Sequence, residues 1–375
     1  MTAQILHIDA RTRPFELAPT SAADFVLHEG EQVGADIVLT DPTLSLYCLD
    51  PANQRALFVE TPATLDLSSV PFMYVAQHAH ATRVLAVPYT DLHALAAQVD
   101  VRDEQITFIH STGRCGSTLV SAAFNAADDV VSLSEPDVFF AVNRLRAQGD
   151  VDDATLVPLL RSATKLLCKP TPQMPAPRAW VIKFRAQELM LGDLFHAAFP
   201  RAAAIYLYRN ADTWLRSIQR TFSRDMEAAE RQELTPEVSK LLESMAPLLP
   251  VYMADPSTPK TPVAVGMLLW LSSIDRYLAL HDGGVPMLAA RYEQLQTDPH
   301  AVMRRLFAHA GVTLSDPAAL DAVLARDSQA GSAIAQAHQR DVEPDAAMLA
   351  DMQAVIDWHP VIDRADFVVP GTLEL

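Results

Sequence analysis

The stretch Ile106-Thr-Phe-Ile-His-Ser-Thr-Gly113-Arg114-Cys115-Gly116-Ser117-Thr118-Leu119 decides how the rest of the chain is read. A short apolar run over 106–110 enters a loop with two glycines. Small hydroxyl residues then open a helix. Glycine lets a backbone approach a ligand closely, and the first N–H groups of a helix lack internal partners. A strand, loop and helix of this kind hold an anion. Arg114 adds a positive charge and Thr118 a hydroxyl donor. The segment therefore predicts a P-loop-like anion loop over 112–118. It departs from the nucleoside-triphosphate loop, which needs Gly-Lys-[Ser/Thr], because Gly116 is followed by Ser117 and Thr118.

Working outward, four further short apolar runs follow, at 130–133, 179–184, 203–208 and 286–291. Segments with helical spacing lie between them, such as Leu156, Leu159, Leu160, Ala163 and Leu167. Fully apolar strands alternating with helices predict an α/β fold with a parallel sheet flanked by helices on both faces. Ligands of such sheets sit at the carboxyl ends of the strands. The first hundred residues read differently. Runs at 36–40, 44–49 and 55–60 are strand-like and separated by the turn sequences Asp41-Pro42 and Asp50-Pro51-Ala52-Asn53. Residues 71–100 read as helix, short strand at 84–87, and helix. The expected organisation is a β-rich N-terminal region over 1–100 and an α/β domain over 101–375.

The balance of 29 basic against 46 acidic residues leaves a formal net charge of −17. That disfavours nucleic acid and anionic membranes as partners, although a pocket can be locally basic inside an acidic shell. Cys48, Cys115 and Cys168 are too few and too widely spaced for a disulfide framework or a zinc knuckle. The first thirteen residues have no apolar core, so no secretory signal is read there. The most apolar stretch, 263–274, is stopped by Asp275 and Arg276 and is too short to span a bilayer. The expectation is a cytoplasmic, bacterial-type protein with no metal: His78 and His80 lie two apart, with no further ligand at a recognisable spacing.

Chemistry is sought directly after each strand. The run over 203–208 ends in Arg209, where a nucleoside-triphosphate enzyme would want an acid for its magnesium. A cation there suits a second phosphate, and Ser217, on the following helix, reaches the same anion. Glu135 comes directly after the strand at 130–133 and so sits beside the anion loop. His110 is the competing base, with a core histidine as its plainer reading. Lys183 lies in the most apolar strand, where an unpaired ammonium would be costly, so it must leave the strand's end or meet an anion. Cys115, between Arg114 and a helix N-terminus, is expected to have a thiol pKa below the usual value and to outreact Cys48 and Cys168.

Together these segments resemble the PAPS-dependent sulfotransferases, PAPS being 3′-phosphoadenosine 5′-phosphosulfate. Gly113-Arg-Cys-Gly-Ser-Thr118 resembles the 5′-phosphosulfate loop of the carbohydrate, tyrosyl-protein and bacterial branches, with Cys115 where serine is usual. Phe199-Pro200 through Arg209-Asn210 to Ser217 resembles the 3′-phosphate segment, with Ala211 where proline is common. Arg291-Tyr292-Glu293-Gln294-Leu295, with Asp298-Pro299 and Met303-Arg-Arg-Leu-Phe307, resembles the family's late Tyr-Glu-x-Leu segment. The resemblance covers about 105–311. It implies transfer of a sulfuryl group from PAPS to a hydroxyl or amine acceptor, leaving PAP (adenosine 3′,5′-bisphosphate), with no metal. Glu135 would be the general base. Lys183 and Arg114 would stabilise the leaving charge. Thr112, Gly113, Arg114, Cys115, Gly116, Ser117, Thr118, Arg209, Ser217 and Tyr292 would bind the nucleotide.

Two alternatives stay open: a P-loop nucleotide phosphotransferase or kinase, and a sulfotransferase-like nucleotide binder without turnover. Past residue 311 only Ser328 and Ser332 offer possible phosphate donors. Small-molecule, lipid and peptide acceptors all remain open, and Phe139 and Phe140 are read as either pocket wall or core. The proline-rich stretch 247–262, with the charged segment before it, reads as either a lid or a surface insertion.

Overall fold

A computed structural model describes residues 1–149, 151–170, 177–229 and 242–375. Among these residues, ten strands form two five-stranded sheets. The first is antiparallel, with β1 (Thr2–Arg11), β2 (Phe25–Gly34), β3 (Leu44–Asp50), β4 (Arg55–Glu60) and β5 (Arg83–Pro88) in the order β2-β1-β5-β4-β3. The second comprises β6 (Ile106–Ser111), β7 (Val130–Ser134), β8 (Ala179–Lys183), β9 (Ala203–Tyr208) and β10 (Leu288–Arg291). Its order is β10-β9-β6-β8-β7 and every pairing is parallel. β6 is central, so its exit loop lies where the chain switches direction across the sheet, the place where such sheets bind ligands.

Helices cover both faces because successive strand residues point to opposite sides. Ile109, Val181, Ile205 and Leu207 pack with α1 (Ser117–Phe124) and with the later helix over Pro299–His309. Phe108, Trp180 and Ile182 face the other way, onto α2 (Asp153–Leu167). Tyr206 and Tyr208 meet α3 (Ala211–Ala229), α4 (Pro262–Asp282) and α5 (Ala346–Trp358). Pro262 opens α4 at a position that needs no N–H, and the Thr261 hydroxyl accepts from Ala264 N at 3.1 Å. The apolar stretch read at 263–274 is thus part of a 21-residue helix, long and apolar enough to cross a membrane by length and composition, and mostly buried within the protein.

The strands expected at 44–49, 55–60 and 84–87, and all five parallel strands, are present within a residue or two. The segment 36–40 is not a strand. Ile37–Thr40 forms one helical turn, because Ala35 and Val38 are the buried residues and stand three apart, the helical spacing. β1 and β2 escaped the sequence reading: much of β2 is exposed and offers little hydrophobic alternation. The antiparallel sheet does not stand apart, because Ala3, Ile5, Leu46 and Phe58 share one core with Ile106, Phe108, Leu160 and Trp180.

His110, on β6, lies among the rings of Phe184 and Phe195, at 4.9 and 5.8 Å between centroids, and is 1% exposed. Burial first, then the Arg276 charge, pushes its pKa down from 6.5 to about 3. The unfolded chain therefore binds a proton between those values that the folded chain refuses. Stability is full above pH 6.5 and is lost as pH falls toward 3. Urea unfolding at pH 7, 5.5 and 4.5 should lose roughly 1.4 kcal/mol per pH unit from this group. His110→Phe should remove that part of the slope; an unchanged slope would place the proton elsewhere.

Candidate functional site

The loop leaving β6 is built from left-handed backbone. Gly113, Arg114 and Gly116 have φ of 71°, 53° and 79°. A side chain at Gly116 would also press on Leu295 and Tyr292, with contacts of 3.0 and 3.1 Å. The loop is pinned from behind. Thr112 N donates to Leu207 O at 3.0 Å, and the Trp214 indole N–H donates to the carbonyls of Thr112 and Gly113 at 3.3 and 3.2 Å. With its carbonyls turned to α3, the loop and the N-terminus of α1 leave N–H groups for a ligand.

Two arginines flank it. Arg114 Nε donates to Ser217 Oγ at 3.1 Å, and its Nη1 to Gln329 Oε1 at 3.0 Å. Arg209 donates from Nη1 to Arg114 O and from Nε to Thr213 Oγ1, both at 3.0 Å, and lies 4.1 Å over the Tyr292 ring. Neither has a carboxylate partner among the described residues. Burial, then the charge of Arg209, pulls the Arg114 pKa down to about 10, and burial lowers that of Arg209. Two half-buried cations close to one another, neither paired with a carboxylate among the described residues, make a site that favours an anion.

Across the loop stand Glu135 and Lys183. β7 delivers Glu135 with a φ of 56°, a conformation that costs about 1–2 kcal/mol for a residue with a Cβ. Its N–H donates to Lys183 O at 2.7 Å, and the Lys183 ammonium bonds its carboxylate. Two residues further along each strand exit, buried Asp137 and half-buried Arg185 form an ion pair at 3.1 Å. Arg185 also donates to Leu17 O at 3.0 Å and covers the Tyr74 ring at 4.8 Å, while Thr20 N donates to Asp137 at 2.6 Å. The N-terminal region thus holds the turn that carries Glu135. Beneath it lies Glu188, its two carboxylate oxygens buried without a hydrogen-bond partner among the described residues. Burial, reinforced by the Asp137 charge, raises its pKa well above the usual carboxylate range.

These groups meet in one cleft of about 550 Å³, lined by Gly113, Arg114, Gly116, Ser117, Thr118, Glu135, Lys183, Arg209, Ser217 and Tyr292. An adjoining chamber of about 790 Å³ is mostly apolar and shares Phe72, Gly113, Arg114 and Glu135 with the cleft. Thr112 lines only this chamber. Cys115 lines neither: its side chain packs in the core and its thiol donates to Leu207 O at 3.3 Å. Its expected activation is corrected accordingly, since burial pushes its pKa up. Phe139 and Phe140 are core residues, and His110 faces neither space. Lys260, Pro262 and Val263 bring the end of the proline-rich stretch to the chamber wall; part of the charged segment before it lies outside the described residues.

The sequence reading missed Gln329, which holds Arg114 from 215 residues away, and Arg216, Arg220 and Arg326, which also line the cleft. Of the two late serines, Ser328 lines the cleft. Ser332 is buried and braces Gln329 by donating to its carbonyl at 2.8 Å. No spacing signal along the chain links these residues to the loop.

No family model matches the sequence, and no curated protein matches it. Among the solved structures it is similar to are two sulfotransferases and a retinol dehydratase. The sulfotransferase domain from the curacin biosynthetic pathway is 18% identical over 62% of this chain and 82% of that one, with a TM-score of 0.37. The sulfotransferase STF1 from Mycobacterium tuberculosis H37Rv is 15% identical over 63% and 74%, with a TM-score of 0.41. A retinol dehydratase, solved with androsterone and the inactive cofactor PAP, is 13% identical over 88% and 99%, with a TM-score of 0.33. At these identities the likeness says nothing of substrate.

The burial of Cys48, Cys115 and Cys168 gives a direct test. Native protein exposed briefly to maleimide should carry no label on any of them by peptide mass mapping, and unfolded protein should carry it on all. Rapid native labelling of Cys115 would contradict the packing of the loop.

Proposed function

We propose that the protein transfers a sulfuryl group from PAPS to a hydroxyl or amine acceptor and needs no metal ion to do so. One observation carries this reading. Arg114 and Arg209, two cations without a carboxylate partner among the described residues, line the same cleft as a left-handed anion loop and the Glu135–Lys183 pair. A nucleotide with one phosphate group at each end of its ribose calls for two such anion sites. The arginines supply charge where a triphosphate enzyme would supply an acid and magnesium.

The donors set the fit. The loop amides and the N-terminus of α1, with Ser117 and Thr118, receive the 5′-phosphosulfate end. Arg209 and Ser217 receive the 3′-phosphate, with Gln329 holding Arg114 between the two. Tyr292, against which Arg209 packs, completes the wall. The acceptor oxygen attacks sulfur, the bond from sulfur to the bridging phosphate oxygen breaks, and PAP leaves. Glu135 takes the acceptor's proton, at the boundary of the cleft and the apolar chamber. Lys183 and Arg114 hold the negative charge that grows on the departing oxygen. Before the donor arrives, Lys183 is satisfied by Glu135, so neither buried charge is left alone.

Two outcomes are expected. Calorimetry with EDTA present should show binding of PAP in preference to AMP, and Arg209→Ala should remove most of that preference, a loss of roughly 1.5–3 kcal/mol. Equal affinity for the two nucleotides, or a strict need for Mg²⁺, would favour a phosphotransferase instead. Glu135→Gln keeps the shape of the side chain and removes its basicity. Turnover with labelled PAPS should fall on the order of 10²–10⁴-fold while PAP affinity is nearly kept; turnover at the wild-type rate would remove Glu135 as the base.

A further inference from the structure

The chamber beside the cleft says what the acceptor is made of. Its walls include Phe72, Met190, Trp214, Ile218, Val265 and Leu269, and its volume of about 790 Å³ is that of a site for a small organic molecule. It opens on the reacting groups, because Glu135, Gly113 and Arg114 line both spaces.

The charged groups on its wall are already engaged. Arg185 is paired with Asp137 at 3.1 Å and donates to Leu17 O. Lys260 donates to the carbonyls of Tyr252 and Asp255 at 2.5 and 2.7 Å and lies 4.8 Å over the Tyr252 ring. Glu135 is held by Lys183, and Arg114 by Ser217 and Gln329. The Ser273 hydroxyl shares a hydrogen bond with Tyr206 at 3.0 Å. On the reading above, the charge of Arg114 is taken up by the donor's phosphosulfate, and Lys260 is turned to backbone carbonyls, so a carboxylate or phosphate on the acceptor would compete for cations already committed. A peptide backbone or a sugar would leave polar groups without partners against apolar walls, at a cost of desolvation.

Resting on the sulfuryl-transfer reading above, we infer that the acceptor is an uncharged, largely apolar alcohol or phenol. Its hydrocarbon part fills the chamber, and its single hydroxyl reaches Glu135. The chamber selects mainly by burial of apolar area, with the reacting hydroxyl at the end where the proton leaves; the Gln187 amide, its Nε2 buried without a partner among the described residues, also lines the wall.

The test is a series of 4-alkylphenols, from 4-methylphenol to 4-octylphenol, titrated calorimetrically into the full-length protein with PAP present. Burial of each added methylene should tighten binding about fourfold until the chamber is full. An analogue of matched length whose chain ends in a carboxylate should bind at least about tenfold more weakly, as an unpaired charge is costly in such walls. Val265→Asp should weaken 4-octylphenol by about tenfold or more and leave PAP affinity unchanged. A flat series, or preference for the carboxylate or for a tyrosyl peptide, would overturn the apolar acceptor while PAP binding kept the sulfuryl-transfer reading. Alkylphenol binding with no binding of PAP would do the reverse: the apolar site would stand and the donor would be wrong.

Discussion

Two guanidinium groups that share a cleft and have no carboxylate partner among the described residues are the constraint on which the rest of this site depends. Arg114 donates to Ser217 and Gln329, and Arg209 donates to the Arg114 carbonyl and stacks on Tyr292. Each has its geometry fixed by neutral partners, so its charge is left for something outside the chain. Burying these two cations costs free energy: burial lowers the pKa of each, and the Arg209 charge adds to the lowering at Arg114. That cost is offset when an anion binds. The parallel sheet supports this arrangement by bringing the exits of β6 and β9 side by side, which places the loop and Arg209 on neighbouring strands.

The opposite wall uses charge differently. Asp137, buried, is paired with half-buried Arg185, and the pair holds the exits of β7 and β8 together just below Glu135 and Lys183. A broken pair of this kind leaves an uncompensated charge in the interior, usually several kcal/mol of destabilisation. The N-terminal region is fastened to the same pair through Leu17, Thr20 and Tyr74. Its sheet is therefore more than an appendage: it closes the core and positions the turn on which the proposed base rides. Phe72 and Tyr74 from the same region also wall the apolar chamber.

The parallel strands were legible because a strand buried on both faces is a continuous apolar run, and the loop because its glycines, arginine and hydroxyls lie in one short stretch. Arg209, Glu135 and Lys183 stood out because each lies at or just beyond the carboxyl end of a strand, and Ser217 because it follows Arg209 on the next helix; all four line the cleft. The features that could not be read depend on distance along the chain or on depth. Gln329 meets Arg114 only through the fold. Cys115 has the neighbours of an activated thiol in sequence, but its side chain turns inward, and burial outweighs the nearby donors and Lys183. β1 and β2 carry too little hydrophobic contrast to announce themselves, and the helical turn at Ile37–Thr40 is too short for its period to stand out.

The central claim is that one cleft holds two anions of a single nucleotide, and a crystal structure of the protein with PAP bound in the presence of EDTA tests it most directly. The account predicts the 5′-phosphate against the N–H groups of residues 116–118, the 3′-phosphate on Arg209 and Ser217, and Glu135 facing the open side of the 5′ group across the mouth of the apolar chamber. A nucleotide bound elsewhere, or lying in the cleft with its 3′-phosphate away from Arg209, would contradict it.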